Sequence, residues 1–153
     1  ELFSVFSTDS LSLSPAILLH EYMHAFINPL TEKYRSLVCA FQSAYQWLSK
    51  YKLPDYQSGY GDWEECVNEH LVRAMTIHLL HRCGYSDLAQ KMLRNDLYCG
   101  YQYIPLLLER YCIYDANRGT YSDFEHYYPE LLQVFSAPPE QDSVLRSIDK
   151  TKK

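Results

Sequence analysis

Apolar side chains recur every three or four residues along most of the chain, which predicts helices in preference to strands. The segment between Pro15 and Pro29 is almost entirely apolar, and Glu21 is its only charged residue. Ser14 is a suitable N-cap and Pro15 fits the first helical position. The Asn28-Pro29 pair predicts the end of this first helix.

A second helix is predicted from Thr31 to about Lys50, because an apolar stripe follows a period near 3.6 residues. The stripe consists of Tyr34, Leu37, Val38, Phe41, Tyr45 and Leu48. The stretch from Lys52 to Gly61, rich in Pro, Gly, Tyr and Asp, predicts an exposed loop. A third helix begins with Asp62 as N-cap and Glu65 completing a capping box, and Gly84 suits its C′ position.

The downstream part is also predicted to be helical. Helices are expected from Ser86 to about Tyr98 and from Pro105 to Tyr114. Ser122 and Glu125 form a capping box for a further short helix, which Pro129 interrupts or restarts.

The expected organisation is a single domain over residues 1–137, followed by a polar and mobile tail over 138–153. The clearest strand signal runs from Leu2 to Ser7, directly after the opening Glu1. We therefore expect an upstream segment carrying the rest of a sheet to be missing from this chain.

Composition narrows the classes of function. The formal charge of −5 and the lack of a basic stripe argue against a nucleic-acid partner. No apolar stretch approaches the ~20 residues that a membrane span needs. The five cysteines form no C-x-x-C pair, which favours buried thiols and a reducing compartment, although one disulfide bridge stays open as an alternative.

The motif that carries chemistry is His20-Glu21-Tyr22-Met23-His24. Residues four apart lie on one face of a helix, so the two imidazoles can converge on a single metal ion. Glu21 lies about 100° round the helix, where it can hold a metal-bound water and take its proton. This pattern is the core of the zincin metallopeptidases. The alternative is a core helix with two satisfied histidines.

A catalytic zinc site needs a third protein ligand. Glu65, Glu69 and Arg73 share one face of the third predicted helix. Either carboxylate can be the ligand, with Arg73 pairing with the other or orienting the site. The alternative is an ordinary exposed face of Glu–Arg pairs. His78 and His81 lie too far along the same helix to join the site, and we expect them at the surface.

Three other kinds of protein compete with a peptidase. A di-iron carboxylate bundle needs two E-x-x-H motifs, and the nearest second copy is Asp123-x-x-His126. A mononuclear iron oxygenase uses two histidines and one carboxylate, but it does not need Glu21 between them. The third is a zincin-fold binding module with little or no catalytic activity, against which the intact Glu21 argues.

Asn68-Glu69, which lies 45 residues after His24, resembles the N-E-x-x segment that supplies the glutamate ligand of thermolysin-like gluzincins. This resemblance implies that His20, His24 and Glu69 bind Zn²⁺ and that Glu65 belongs to an outer shell. This chain departs from the gluzincin pattern at Arg73, where those peptidases carry an Asp that supports a histidine.

The same resemblance implies two residues that assist the reaction. Tyr60 lies nine residues before Glu69, similar to a gluzincin tyrosine that helps to hold the tetrahedral intermediate. His126 lies downstream, similar to a gluzincin histidine that stabilises the oxyanion. With Glu21 as general base, these residues complete the expected catalytic set.

Four blocks of the sequence carry a wider resemblance: His20–Pro29, Asn68–Ala74, Gly100–Ile104 and Tyr121–Pro129. Together they are similar to a bacterial family of domains of unknown function, number 4932, which is grouped with zincin-like peptidases. The resemblance implies a mainly α chain, the helical catalytic part of a zincin-like α+β metallopeptidase with at most a short N-terminal strand of its sheet. It further implies Zn²⁺ as cofactor and a peptide or protein as substrate.

Overall fold

The computed structural model describes residues 15–48 and 62–139. Within these ranges 79% of the residues are helical and none is in a strand. The mainly α prediction is therefore confirmed there, whereas the sheet of an α+β fold finds no support in them. The expected strand from Leu2 to Ser7, the loop from Lys52 to Gly61 and nearly all of the polar tail lie outside the described residues.

The described elements are seven α-helices and a final 3₁₀ helix. They are α1 (Pro15–Lys33), α2 (Arg35–Ala40), α3 (Ala44–Leu48), α4 (Trp63–Arg82), α5 (Ser86–Tyr98), α6 (Ile104–Ala116), α7 (Phe124–Leu131) and the 3₁₀ helix Leu132–Ser136. The predicted bounds of α5 and α6 are confirmed to within two residues.

Helix α4 is the centre of the fold, because α1, α5 and α6 all pack against it. Ten of its 20 residues are buried, so it is covered on more than one face. Its ends follow the sequence signals. The Asp62 carboxylate accepts a hydrogen bond from Glu65 N at 2.9 Å, and Gly84 takes a φ of +87° after the last turn.

Helix α1 does not end at Asn28-Pro29, as the sequence predicted, but continues through Pro29 for one more turn. A proline inside a helix removes one backbone hydrogen bond. The extra turn is held from outside by Thr31, which is fully buried. Its Oγ1 donates to Asn68 Oδ1 on α4 at 2.5 Å and accepts from Tyr128 Oη on α7 at 2.6 Å. The predicted stop was wrong because tertiary contacts outweigh the local signal.

The single helix predicted from Thr31 to Lys50 is broken into three pieces, although its apolar stripe does face the core. One cause of the break is visible at Trp63, whose indole Nε1–H donates to the carbonyl of Val38 at 2.6 Å. In a continuous helix that carbonyl would accept from Gln42 N, which instead bonds the Cys39 carbonyl. The sequence therefore predicted the apolar stripe correctly, but it did not predict that the helix is broken.

Helix α7 also corrects the sequence reading. Its N-cap is Asp123 and not Ser122, because the Asp123 carboxylate accepts from His126 N at 2.9 Å. Pro129 does not interrupt it. The carbonyl of Glu125, which Pro129 leaves without its helical donor, lies 3.5 Å from the Tyr34 hydroxyl, which donates to it.

All five cysteines lie in the described parts and all are free thiols. Cys66 and Cys99 are buried as expected, whereas Cys39, Cys83 and Cys112 are exposed. None of the described helices is long and apolar enough to cross a membrane.

The Thr31 hydroxyl offers a test of how the last turn of α1 is held. Thr31→Val keeps the shape but leaves the Asn68 and Tyr128 polar groups without this partner, so we expect unfolding free energy to fall by about 1–3 kcal/mol. Urea denaturation measures the change. Thr120→Val, at an exposed threonine in a turn, is the control and should change stability by less than about 0.5 kcal/mol. Equal effects of the two substitutions would contradict this account.

Candidate metal centre

His20, His24 and Glu69 come together where α1 packs on α4. The Nε2 atoms of His20 and His24 lie 3.3 Å apart. Glu69 Oε1 lies 3.3 Å from His24 Nε2, and Glu69 Oε2 lies 4.0 Å from His20 Nε2. Among the described residues this is the one group of three metal-ligating side chains whose donor atoms lie within 4.8 Å of one another.

The helices explain this convergence. The two histidines are one turn apart on α1, so their rings leave the same face. Thr31 near the end of α1 bonds Asn68 near the start of α4, whereas Leu18 near the start of α1 shares a cavity with Leu80 near the end of α4, so the two helices run antiparallel. Glu69, the residue after Asn68, is thereby brought opposite the histidine pair.

Two of the three donor separations match those of a tetrahedral zinc site. With bonds of about 2.0–2.1 Å and tetrahedral angles, two ligand atoms of a zinc site should lie about 3.3–3.5 Å apart. Both separations that involve His24 Nε2 are 3.3 Å, and the third is wider at 4.0 Å. Two imidazoles and one carboxylate are also a ligand set typical of catalytic zinc, with one position open to water.

Electrostatics favour the metal-binding forms of Glu69 and His20. Burial works to raise the pKa of Glu69, but its hydrogen bond with His24 and the nearby Arg73 guanidinium outweigh this and lower it to about 2. Burial lowers the pKa of His20, which keeps that imidazole neutral. The hydrogen bond to Glu69 raises the pKa of His24, so this imidazole releases its proton when a cation binds. An ionised carboxylate and neutral imidazoles are the forms that coordinate a cation.

Asn28 orients the ring of His24. His24 Nδ1 lies 3.2 Å from Asn28 Oδ1, so in the tautomer that coordinates a metal through Nε2 the Nδ1–H donates to Asn28. The sequence reading treated Asn28 only as part of a helix stop. Once the helix is known to continue, the i, i+4 spacing from His24 is the signal that finds it.

Arg73 supports the cluster from the side of α4. Its Nε donates to Glu69 Oε2 at 2.9 Å, and its Nη1 donates to Asp96 Oδ1 on α5 at 3.0 Å. The guanidinium also lies over the Tyr101 ring, 4.2 Å from the ring centre. The sequence predicted that Arg73 either pairs with the glutamate that is not the ligand or orients the site, whereas here it bonds the candidate ligand Glu69 itself. Asp96 was missed because no local pattern links α5 to this site. Glu65 is exposed and is not a member of the cluster.

Glu21 follows His20 on α1 and is exposed. Together with His20 it lines an open cavity of about 400 Å³ between α1, α4 and α5. The residue expected to act as base therefore faces a space that a substrate can enter.

The two predicted helper residues are not brought to the cluster by the described structure. Tyr60 lies outside the described residues. His126 is exposed and its Nδ1 bonds Asp123 at 2.7 Å and Ser122 at 2.9 Å. Helix α7 meets α1 at Thr31, which is about 10 Å along the helix axis from His24. The described contacts give His126 no role at the metal centre.

The remaining histidines on α4 lie away from this cluster. His81 is exposed as expected. The surface prediction is wrong for His78, whose side chain is only 11% exposed and bonds Asp115 Oδ2 at 2.8 Å. His70 is fully buried, with Nδ1 2.8 Å from the carbonyl oxygen of Cys66.

The described part is thus a mainly helical protein with a two-histidine, one-glutamate cluster on two packed helices. The model of the family described as a domain of unknown function (DUF4932) matches residues 4–134, and the chain belongs to that family. No curated protein and no solved structure matches the chain. The family resemblance read from the sequence is confirmed, and the peptidase assignment is a matter of proposal.

Zinc binding tests the ligand set directly. Purified without chelator, the protein should carry about one zinc per chain by elemental mass spectrometry. Glu69→Gln should lose most of it, because the third ligand loses its charge. Glu65→Gln, one turn earlier on the same helix, is the matched control and should keep the zinc. If Glu69→Gln keeps its zinc and Glu65→Gln loses it, the third ligand is Glu65.

The Asn28 contact predicts a smaller effect on affinity. Asn28→Leu removes the acceptor for His24 Nδ1–H and should weaken zinc binding by roughly 10- to 100-fold. Asn28→Asp keeps an oxygen acceptor at this place and should retain tight binding. Competition with a fluorescent chelator measures both. Similar weakening in the two variants would show that the hydrogen bond does not matter.

Proposed function

We propose that this chain is a zinc-dependent hydrolase, and more narrowly a metallopeptidase that cleaves peptide bonds. The observation that carries the proposal is the convergence of His20, His24 and Glu69, with Glu21 beside them at an open cavity. Three protein ligands and an adjacent carboxylate are the groups that metal-assisted hydrolysis needs.

Each group has a chemical role in this proposal. Zn²⁺ held by the three ligands would polarise a peptide carbonyl and lower the pKa of a bound water towards ~7. Glu21 accepts the proton of the attacking water and then passes it to the leaving amine. Both transfers require a carboxylate that is open to the cleft, and Glu21 is exposed.

Two neighbouring side chains keep the ligands in place. Asn28 fixes the tautomer and the rotation of the His24 ring through Nδ1. Arg73 holds Glu69 through Oε2. These contacts orient the ligand atoms in advance, so little reorganisation is needed when substrate binds.

The state of Glu21 favours a hydrolase over an inactive binding module. It has no ion pair or hydrogen bond among the described residues, so a structural role there does not explain its presence. A base must be free to exchange a proton, which an exposed carboxylate beside the three ligands can do, whereas a module that only binds does not need such a group.

Hydrolysis by the wild type and by Glu21→Gln tests the proposal. We expect the zinc-loaded wild type to cleave members of a generic peptide library, followed by mass spectrometry of the products. Glu21→Gln should lose at least ~100-fold in kcat/KM while its zinc content is unchanged, because only the base is removed.

The control variant is Glu109→Gln, at an exposed glutamate on α6, which should cleave at the wild-type rate. Cleavage by Glu21→Gln at the wild-type rate would contradict the role of Glu21. A wild type that holds zinc and binds peptides but cleaves none would establish the binding module instead.

A further inference from the structure

The cavity beside Glu21 and His20 is lined by both apolar and charged side chains. Ile17, Leu88 and Met92 supply apolar surface, while Asp96 and Lys91 supply charge. Its volume of about 400 Å³ is within the range of small-ligand sites, ~300–1,000 Å³. A group bound there lies next to the residues that are proposed to cleave the peptide bond.

Asp96 presents an unused acceptor in this cavity. Its side chain is only 3% exposed. Oδ1 accepts from Arg73, whereas Oδ2 has no hydrogen-bond partner among the described residues. Burial raises the pKa of Asp96, against the opposing effects of the Arg73 guanidinium and the Asn95 side chain. Oδ2 itself is buried, and a buried acceptor left unpaired is unfavourable, so a turn of the Asp96 carboxylate that brings Oδ2 to a donor in the cavity is favoured.

The charges that line the cavity balance one another. Glu21 and Asp96 are acidic, and Arg73 and Lys91 are basic. A cation would meet the two basic groups and an anion would meet the two acidic groups, so neither gains a net attraction. An uncharged donor is the best match to Asp96 Oδ2.

We propose that the cavity receives an uncharged side chain of the substrate, one with an apolar stem and a hydrogen-bond donor at its end, such as glutamine. The stem packs on Ile17, Leu88 and Met92, and the terminal N–H donates to Asp96 Oδ2. This inference rests on the proposed function, because it takes the substrate to be a peptide bound beside the zinc ligands.

Four peptides test the preference. They share one alanine- and glycine-rich background and carry glutamine, leucine, lysine or glutamate at a single central position. For zinc-loaded wild type we measure Kd by isothermal titration calorimetry and kcat/KM by product analysis. The glutamine peptide should be favoured about tenfold over leucine, which lacks the donor, and by more over glutamate, which Asp96 repels.

Lys91 provides the variant, because Asp96 itself is tied through Arg73 to the ligand Glu69 and its replacement would disturb the metal centre. Lys91 is exposed, so Lys91→Glu should fold normally. It makes the lining acidic and should shift the preference towards the lysine peptide about tenfold. Arg94→Glu is the matched control, since Arg94 is an exposed residue of the same helix that does not line the cavity.

The outcomes separate this inference from the proposed function. Cleavage without a glutamine preference, or an equal shift in Lys91→Glu and Arg94→Glu, overturns the cavity proposal and leaves the peptidase standing. A glutamine preference in Kd that Lys91→Glu shifts, without any cleavage, supports the cavity and overturns the peptidase. Neither binding nor cleavage of any peptide overturns both.

Discussion

The candidate site depends on how α1 is rotated and shifted against α4. One residue along a helix turns the side chain by about 100°, so a small error in register would point Glu69 away from the histidines. The hydrogen bond from Thr31 to Asn68 fixes this register at the residue directly before Glu69. Tyr128 bonds the same hydroxyl from α7, so a third helix secures the contact. One buried threonine thereby joins the stability of the fold to the geometry of the candidate metal centre.

Arg73 is the second constraint, because it lets a carboxylate stay ionised in a place that is mostly shielded from water. The planar guanidinium bonds two carboxylates through different nitrogens and also lies over the Tyr101 ring. A lysine has a single charged nitrogen and cannot make this combination of contacts. These contacts give a physical role to Arg73 at the position where the sequence departs from the gluzincin pattern. Here support passes to the glutamate through a cation, whereas those peptidases support a histidine through a carboxylate.

The sequence was informative wherever a helix alone decides the geometry. The pairing of His20 with His24, the Asp62 cap and the Gly84 end are all set by residues within one or two turns of each other. It failed where a distant contact overrides the local signal. Proline normally ends a helix, yet α1 and α7 both continue through one. Packing against Asn68 and Tyr128 holds the extra turn in α1, and the Tyr34 hydroxyl bonds the orphaned carbonyl in α7.

The same distinction applies within the site. Glu69 could be proposed from its spacing and its likeness to a known segment, but Asp96 could not, because it reaches the site from another helix. The two carboxylate oxygens of Asp96 differ in their hydrogen-bond partners. Oδ1 holds Arg73, and through it Glu69, while Oδ2 is buried without a hydrogen-bond partner among the described residues. In the subsite that we propose, a substrate donor takes Oδ2, so it does not compete for the oxygen that holds Arg73 and positions the candidate ligand Glu69.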